Sequence, residues 1–196
     1  MPSSALSASK KELRRRMLAA RRQLSAAERA QYSARIQEQL LARPEYQRAG
    51  CIFCYASMSD EVQTLELLKH MLADGKVVCL PLITGKGTME AVYLPSLEAL
   101  TEGDFGILTV RPEQRELVNP VTIDCILVPG AAFSRDGARL GMGGGYYDRY
   151  MREKAPQARR VALTFDCLVV PSIPMEAHDE RVETILTETR RIEPNK

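Results

Sequence analysis

The first part of the chain carries the hydrophobic period of an α-helix. Leu13, Met17, Ala20 and Leu24 are spaced by four, three and four residues, so they form one apolar stripe with Lys and Arg on the other sides. This spacing predicts a helix over residues 10–24. The apolar stripe must be covered either by the rest of the chain or by a second copy.

A second helix is predicted to follow directly. Ser25 and Glu28 have the spacing of a capping box, in which each side chain bonds the backbone N–H of the other residue, so this helix should begin at about residue 26. It runs past Ile36 and should end before Pro44, because proline disfavours helical backbone at the residue before it. The two helices form an N-terminal pair over residues 10–42.

Beyond residue 50 the pattern changes to short, continuous apolar runs. Runs of this kind, separated by helical segments, are typical of strands that are buried on both faces of a parallel sheet. A helix opened by Thr64 is predicted over 64–74, another should begin near Tyr146, and the tail 190–196 should fray. We predict strands at 51–57, 76–81 (ended by Pro81), 91–94, 122–129, 160–165 and 183–189.

This alternation of strands and helices predicts an α/β fold with a mostly parallel sheet. A length of 196 residues fits one domain, in which the helical pair packs on an α/β core of residues 51–189. Ligands bind beyond the carboxyl ends of the strands in such sheets. The loops 57–63, 129–145 and 166–179 are therefore where chemistry is expected.

Composition excludes several classes of protein. The 45% hydrophobic and 27% charged residues exclude wholesale disorder, a collagen-like repeat and a coiled-coil rod. The chain has no apolar run long enough for a membrane helix and no apolar segment of a signal peptide near its beginning, so neither is expected. Five cysteines lie singly in apolar runs and indicate free thiols in a reducing compartment. Cys51 and Cys54 should point to opposite faces of a strand, which argues against a zinc site.

Charge is unevenly distributed along the chain. Residues 1–50 carry eleven Lys or Arg and four Asp or Glu, a net charge of +7, whereas the whole chain has a net charge of only +2. A basic first quarter favours an anionic partner, which would be a nucleic acid, a membrane surface or a phosphorylated ligand. The alternative interpretation is a solvated helix face.

A glycine-rich loop is the most informative segment. It reads GARLGMGGGYYD over 137–148, after a predicted strand and before a predicted helix. Glycines allow several backbone N–H groups to converge on an anion, and Arg139 adds a planar fork of donors for phosphate oxygens. The loop lacks the lysine that ends a P-loop. We interpret it as a phosphate cradle, the alternative being a flexible turn.

Four further side chains are candidates for the chemistry. Asp148 either stabilises a helix terminus or binds the magnesium that accompanies a nucleotide. Glu61 either is a surface charge or hydrogen-bonds an N–C–NH edge of a ligand. His178 is a candidate general base, although a lone loop histidine is more often structural, and Asp179 is a candidate second metal ligand.

The segment LVPGAAFSRDGARLGMGGGYYDRY over 127–150 resembles the signature of the 5-formyltetrahydrofolate cyclo-ligase family. KKELR (10–14), YASMSDEVQT (55–64) and PMEAHDERVETILTE (174–188) are similar to three further family segments, in the same order. The resemblance implies a single Rossmann-like, three-layer α/β domain over 1–196, of the type shared with sugar-phosphate isomerases and CoA transferases.

The resemblance also implies an activity in folate one-carbon metabolism. The formyl oxygen of 5-formyltetrahydrofolate attacks the γ-phosphate of ATP, N10 closes the ring, and 5,10-methenyltetrahydrofolate, ADP and phosphate are released. ATP is then a co-substrate and Mg²⁺ the cofactor. The expected protein is a cytoplasmic enzyme with small-molecule partners, no nucleic acid and no membrane, favoured as a monomer although a dimer is possible.

The resemblance assigns roles to individual residues. Arg139 would be catalytic, and Asp148 and Asp179 would hold magnesium. The folate would contact Ala56, Met58, Glu61, Phe105 and Tyr147. The ATP would contact Lys10, Arg14, Arg139, Leu140, Gly141, Met142, Gly143, Gly144, Gly145, Tyr146 and Tyr147.

Four positions depart from the family pattern. Gly144 stands where some members have lysine, Arg111 where an acid is frequent, and Leu82 and Leu168 where Arg and Gln are common. Gly144 and Arg111 leave open a folate- or nucleotide-binding protein without turnover. The basic helix would also suit a nucleic-acid binder, and the fold would also suit an enzyme similar to a sugar-phosphate isomerase. Neither of these two functions explains both the glycine-rich loop and the basic helix.

Overall fold

A computed structural model describes residues 2–103 and 106–194, with side chains from residue 6 onward. It begins with the predicted pair of helices. These are α1 (Pro2–Gln23) and α2 (Ala26–Leu41), followed by the short α3 (Pro44–Arg48). The capping box of Ser25 and Glu28 is present, as predicted. Helix α1 begins earlier than predicted, at Pro2, a residue type that the first turn of a helix accommodates well.

The described residues after α3 form twelve strands, two further α-helices and several short 3₁₀ turns. The helices are α4 (Leu65–Ala73) and α5 (Tyr146–Arg149), and one π-helical turn, Tyr150–Lys154, continues α5. The strands, in chain order, are β1 (Cys51–Phe53), β2 (Val77–Gly85), β3 (Thr88–Tyr93), β4 (Leu100–Glu102), β5 (Leu108–Val110), β6 (Cys125–Val128), β7 (Ala132–Ser134), β8 (Arg139–Leu140), β9 (Arg159–Leu163), β10 (Val169–Val170), β11 (Thr184–Leu186) and β12 (Arg191–Ile192).

Seven of these strands form the main sheet, in the order β12-β11-β9-β6-β1-β2-β3. The five inner strands are parallel to one another, and β12 and β3 are antiparallel at the edges. Two small sheets, β10-β7-β8 and β4-β5, lie outside it. The prediction of an α/β fold with a mostly parallel sheet is confirmed.

Both faces of the main sheet are buried. Neighbouring residues Ile52 and Phe53 on β1 are fully buried in two different apolar clusters, one on each side of the sheet. Met17 of α1 and Ile36 of α2 belong to the first cluster, and Met151 of the π-helical turn belongs to the second. The apolar stripe of α1 is therefore covered by this chain itself. Among the described residues, none of the helices has the length and hydropathy of a membrane span.

Strand β2 corrects one prediction, because it continues through Pro81 to Gly85. The backbone of Cys79 faces β1, where its carbonyl accepts from Cys54, and Pro81 faces the same side two residues later. Strand β1 has already ended there at Phe53, so the missing N–H of Pro81 leaves no partner unpaired.

Helix α4 begins after Thr64 as predicted, but the Thr64 side chain does not cap it. Its hydroxyl donates to the carbonyl of Tyr55 at 2.7 Å and accepts from the N–H of Ser57 at 2.9 Å. The Ser57 hydroxyl accepts in turn from the N–H of Thr64 at 3.0 Å. These bonds replace the predicted continuation of β1 to residue 57 and fix the segment that follows the strand.

The expectation of a frayed tail is wrong for its first residues. Arg191 and Ile192 form β12 and pair with Leu186 and Ile185 of β11. The segment RRIEPNK has too short an apolar pattern to predict this edge strand. The cysteine pair behaves as predicted, since Cys51 and Cys54 lie in apolar clusters on opposite faces of the sheet.

Candidate active site

A cavity of about 830 Å³ lies beyond the carboxyl ends of β1 and β6 and against the second half of β2. Tyr55 and Ala56 line it after β1, and Pro129 lines it after β6. The glycine-rich loop closes one side, and residues of β2, β3 and β5 form another. The predicted loops 57–63 and 129–145 therefore meet at one cavity, as expected for a parallel sheet.

Arg139 lies at the back of this cavity, on the hairpin that β7 and β8 form. Its side chain is 3% exposed, its Nη2 donates to Asp148 Oδ2 at 2.6 Å, and its Nη1 donates to the carbonyl of Pro129 at 3.1 Å. Its guanidinium carbon lies 5.8 Å from the ring centre of Tyr147. The catalytic and metal-binding candidates Arg139 and Asp148 thus form one buried ion pair.

The glycine-rich loop passes close to Arg139, which explains two of its glycines. A Cβ at Gly141 would lie 2.8 Å from Nη1 of Arg139, closer than two such atoms can approach. Gly145 has a φ of +66°, a left-handed conformation that favours glycine, directly before α5. A side chain at Gly141 would displace the Arg139 guanidinium, and one at Gly145 would strain the loop backbone.

The hydroxyl of Tyr147 is buried and has no hydrogen-bond partner among the described residues. Its ring stacks on Phe53, with ring centres 6.0 Å apart, and it lines the cavity beside Glu61 and Arg139. Burial raises the pKa of this phenol well above its ordinary value. It remains protonated, so it can donate a hydrogen bond to a ligand.

Helix α1 brings both predicted basic residues to the loop side of the site. Lys10 Nζ contacts Asp179 and donates to Glu176 Oε2 at 2.8 Å, and Arg14 Nε donates to the carbonyl of Gly141 at 2.8 Å. Burial alone would lower the pKa of Lys10, but the hydrogen bonds to Asp179 and Glu176 raise it, so the ammonium stays charged. Residues four apart share one helix face, as predicted.

Three side chains of the segment after β10 form a possible metal-binding cluster. Glu176, His178 and Asp179 each have a donor atom within 4.8 Å of the others. Asp148 lies next to this segment, because its Oδ1 accepts from the N–H of Glu180 at 3.2 Å. The structure therefore brings the predicted ligands Asp148 and Asp179 to neighbouring positions and adds Glu176, which sequence reasoning missed.

Glu61 lines the same cavity as the glycine-rich loop. Its Oε2 accepts from the N–H of Met58 at 2.9 Å, and its Oε1 is 3.6 Å from Nη1 of Arg21. Burial raises the pKa of this carboxyl above its ordinary value. Ala56 and Met58 line the cavity beside it, whereas the predicted folate contact Phe105 lies outside the described residues.

Not all predicted ATP contacts line the cavity. Leu140 is buried in the core, and its carbonyl accepts from the N–H of Ala131 at 2.7 Å. Those that do line the cavity are Arg139, Gly141, Met142, Gly144, Gly145, Tyr146 and Tyr147. Lys10, Arg14, Gly143 and Asp179 lie behind the loop on the α1 side. The site thus has an open cavity and an adjacent charged cluster, with the glycine-rich loop between them.

Sequence reasoning missed the apolar wall of the cavity. Leu82 and Ile83 of β2, Met89 of β3 and Ile107 before β5 line it. The first two follow Pro81, where the strand was predicted to end. Leu82 thus places an apolar side chain on this wall, where the family commonly has arginine. The other departures, Arg111 and Leu168, lie outside this cavity's lining.

An α/β sheet with a glycine-rich loop, basic side chains and a large cavity at its carboxyl edge is typical of an α/β enzyme that binds an anionic substrate. The model of the 5-formyltetrahydrofolate cyclo-ligase family matches residues 6–188, and the chain belongs to that family. A mouse 5-formyltetrahydrofolate cyclo-ligase is 30% identical over 96% of this chain and 98% of its own length.

Solved structures agree with this assignment. The NMR structure of an Aquifex aeolicus 5,10-methenyltetrahydrofolate synthetase is 32% identical, has a TM-score of 0.84, and is matched over 95% of this chain and 93% of that chain. A synthetase from Mycoplasma pneumoniae, 19% identical, has the same fold, with a TM-score of 0.74 over 91% of this chain and 98% of that chain. The predicted family, enzyme class and fold are confirmed.

Proposed function

We propose that this chain catalyses the ATP-dependent cyclisation of 5-formyltetrahydrofolate to 5,10-methenyltetrahydrofolate, with release of ADP and phosphate. One observation carries the proposal beyond family membership. A single cavity is lined by the glycine-rich loop and Arg139 together with Glu61, Met58 and an apolar wall. Such a cavity suits an anionic group beside a large, partly apolar heterocycle.

The phosphate side of the site supports the first chemical step. The formyl oxygen of the substrate attacks the γ-phosphorus of ATP, and the bond from that phosphorus to the β–γ bridging oxygen breaks, so that ADP leaves. Phosphoryl transfer chiefly requires alignment and neutralisation of charge on the transferred group. The loop amides, Arg139, and Lys10 and Arg14 behind the loop supply positive charge there.

The folate side supports ring closure. N10 attacks the activated formyl carbon, a C–N bond forms, and the C–O bond to the phosphate breaks with loss of the N10 proton. Glu61, which lines the cavity, would accept hydrogen bonds from the pterin, and the buried hydroxyl of Tyr147 would donate one. The apolar wall excludes water, which would otherwise compete with N10 for the activated carbon.

Magnesium fits the charged cluster by its donor chemistry. Asp148, Asp179 and Glu176 offer carboxylate oxygens, the ligands that Mg²⁺ prefers. Arg139 and Lys10 now balance their charge. When bound with ATP, magnesium would neutralise negative charge on the phosphates.

The fold also supports proposals about the setting of the enzyme. The five cysteines are free thiols, which suits a reducing compartment such as the cytoplasm. Three basic residues of α1, namely Lys10, Arg14 and Arg21, point into the protein rather than toward solvent, which favours small-molecule substrates over nucleic acid. The apolar stripe of α1 is covered by this chain itself rather than by a second copy, which favours a monomer.

The test is a near-ultraviolet assay for methenyltetrahydrofolate with purified protein. Product should appear only when 5-formyltetrahydrofolate, ATP and Mg²⁺ are all present, and omission of any one should abolish it. A folded protein that binds both substrates without turnover would instead support the alternative of a binding protein.

A further inference from the structure

Helix α1 presents a third basic residue to the site, on the same face as Lys10 and Arg14. Arg14, Met17 and Arg21 are spaced by three and four residues, and Met17 is buried in the core between the two arginines. Lys10 and Arg14 contact the segment 176–179 and the glycine-rich loop. Arg21, farther along the same face, contacts the loop 57–63 on the folate side.

The guanidinium of Arg21 binds two neighbouring carboxylates. Its side chain is 5% exposed, its Nη2 donates to Asp60 Oδ1 at 2.9 Å, and its Nη1 lies 3.6 Å from Glu61 Oε1. A planar fork is suited to hold two carboxylates at once, which a lysine ammonium does less well. Without this cation, the adjacent charges of Asp60 and Glu61 would repel each other in a half-buried loop.

The other hydrogen bonds of the loop hold only part of the Glu61 carboxylate. The second oxygen of Glu61 is held by the N–H of Met58, and Gln63 holds the loop backbone by donating to the carbonyl of Glu61 at 2.8 Å. These bonds fix one oxygen and the main chain. The other oxygen, which lies toward Arg21, has no closer partner among the residues that the structure describes.

We propose that Arg21 is a positioning residue for folate recognition, in which its buried guanidinium holds Asp60 and Glu61 so that the Glu61 carboxylate faces the cavity with its charge retained. This inference rests on the proposed function, in which Glu61 binds the pterin. One face of α1 then serves both substrates, because Lys10 and Arg14 lie near the proposed ATP phosphates and Arg21 lies near the proposed folate site. Burial raises the pKa of Glu61, and the nearby positive charge of Arg21 opposes this effect by stabilising the ionised carboxylate.

The test compares Arg21→Met and Arg21→Lys with Arg22→Met, an exposed control on the same helix turn. We measure the KM values for 5-formyltetrahydrofolate and ATP, the Kd for 5-formyltetrahydrofolate by calorimetry, and the melting temperature. Arg21→Met should raise the folate KM and Kd at least tenfold and leave the ATP KM within twofold. Arg21→Lys should raise the folate KM about threefold, and Arg22→Met should change neither KM.

A double-mutant cycle separates positioning from a general structural role. In the Glu61→Gln background, Arg21→Met should have less than a threefold further effect on the folate Kd, because its target carboxylate is already gone. A full tenfold effect in that background, or an equal rise of both KM values, would overturn the inference. If Arg21→Met does not fold, a folate KM for Arg21→Lys equal to that of the unsubstituted protein would overturn it.

Failure of the proposed function has a different signature. The unsubstituted protein would then neither bind nor convert 5-formyltetrahydrofolate, and this is measured before any variant is made. Binding without conversion would overturn the cyclisation but leave the effect of Arg21 on the folate Kd measurable by calorimetry.

Discussion

The buried pair of Arg139 and Asp148 gives one arginine two roles. It neutralises a buried carboxylate, and it lines the cavity together with the glycine-rich loop. Removal of one partner of a buried pair leaves the other charge without compensation. Loss of Arg139 should therefore affect stability as well as catalysis.

Arg139→Ala should lower kcat/KM at least about 30-fold, since a positioned charge donor contributes about 2 kcal/mol or more to transition-state stabilisation. The same change should lower the free energy of unfolding by about 3 kcal/mol. Arg139→Lys keeps the charge and should recover most of the stability but little of the activity. Steady-state kinetics and thermal melts measure both. Near-normal turnover by a folded Arg139→Ala protein would remove Arg139 from the mechanism.

Glu61 should give folate binding a pH dependence. Because burial raises its pKa, the carboxylate takes up a proton at a higher pH than an ordinary glutamate, so the folate KM should rise as the pH falls through that range. The groups that face it are Arg21, Asp60 and the phenols of Tyr55 and Tyr147.

Glu61→Gln should therefore raise the folate KM at neutral pH and flatten its pH profile, with the ATP KM unchanged. The raised pKa means that ionisation of Glu61 opposes folding above that pKa, so Glu61→Gln should not lower the melting temperature at neutral pH. Kinetics between mildly acidic and neutral pH, with melts at the same pH values, test both statements. A pH profile that persists in Glu61→Gln would contradict the assignment of this titration to Glu61.

At the scale of elements, one arginine connects the glycine-rich loop to the β2–β3 hairpin. Arg149, at the end of α5, donates to the carbonyl of Gly87 at 2.7 Å and also contacts the carbonyl of Gly144. A Cβ at Gly87 would overlap Nη2 of Arg149, so the Arg149 side chain packs directly against the backbone of the hairpin turn. The loop lacks the lysine that some family members have at Gly144, and Arg149 places a cation beside it.

Arg149→Ala should raise the KM for ATP about 5- to 10-fold, because two charge-assisted hydrogen bonds that hold the loop are lost. The folate KM should change less. Lys86→Ala, which removes an exposed charge from the same hairpin turn, is the control and should leave both values unchanged. Steady-state kinetics with each substrate varied in turn measure both KM values. Equal effects of the two variants would show that Arg149 acts only as one more surface charge.

The elements that the sequence predicted are those with a strong local signal. The capping box of Ser25 and Glu28 located α2, and the continuous apolar run CILV located β6. The two-residue strands β8 and β10 and the edge strand β12 carry no such period, because they are stabilised by pairing with distant residues. The glycine-rich motif predicted Arg139 and Asp148, and the position of Glu61 just after a predicted strand made it a candidate, whereas the apolar wall after Pro81 has no such local signal.

At the scale of the whole molecule, contacts between the two ends of the chain complete the site. Lys10 is separated from Glu176 and Asp179 by more than 160 residues, yet its ammonium contacts both carboxylates. The three side chains are largely buried, so the ion cluster depends on the packing of α1 through Met17. Neither end of the chain could form this cluster alone, and no local pattern predicts the partners of Lys10.

Lys10→Met therefore tests the charged cluster independently of turnover. The change should lower the free energy of unfolding by about 1–3 kcal/mol, because Glu176 and Asp179 lose their cation. These carboxylates are then free to bind a divalent cation, so Mg²⁺ should raise the melting temperature of Lys10→Met more than that of the unsubstituted protein. Lys11→Met, at the exposed neighbouring position, is the control and should behave like the unsubstituted protein. If Mg²⁺ stabilises all three proteins equally, the cluster does not bind the ion, and its carboxylates serve only to hold Lys10.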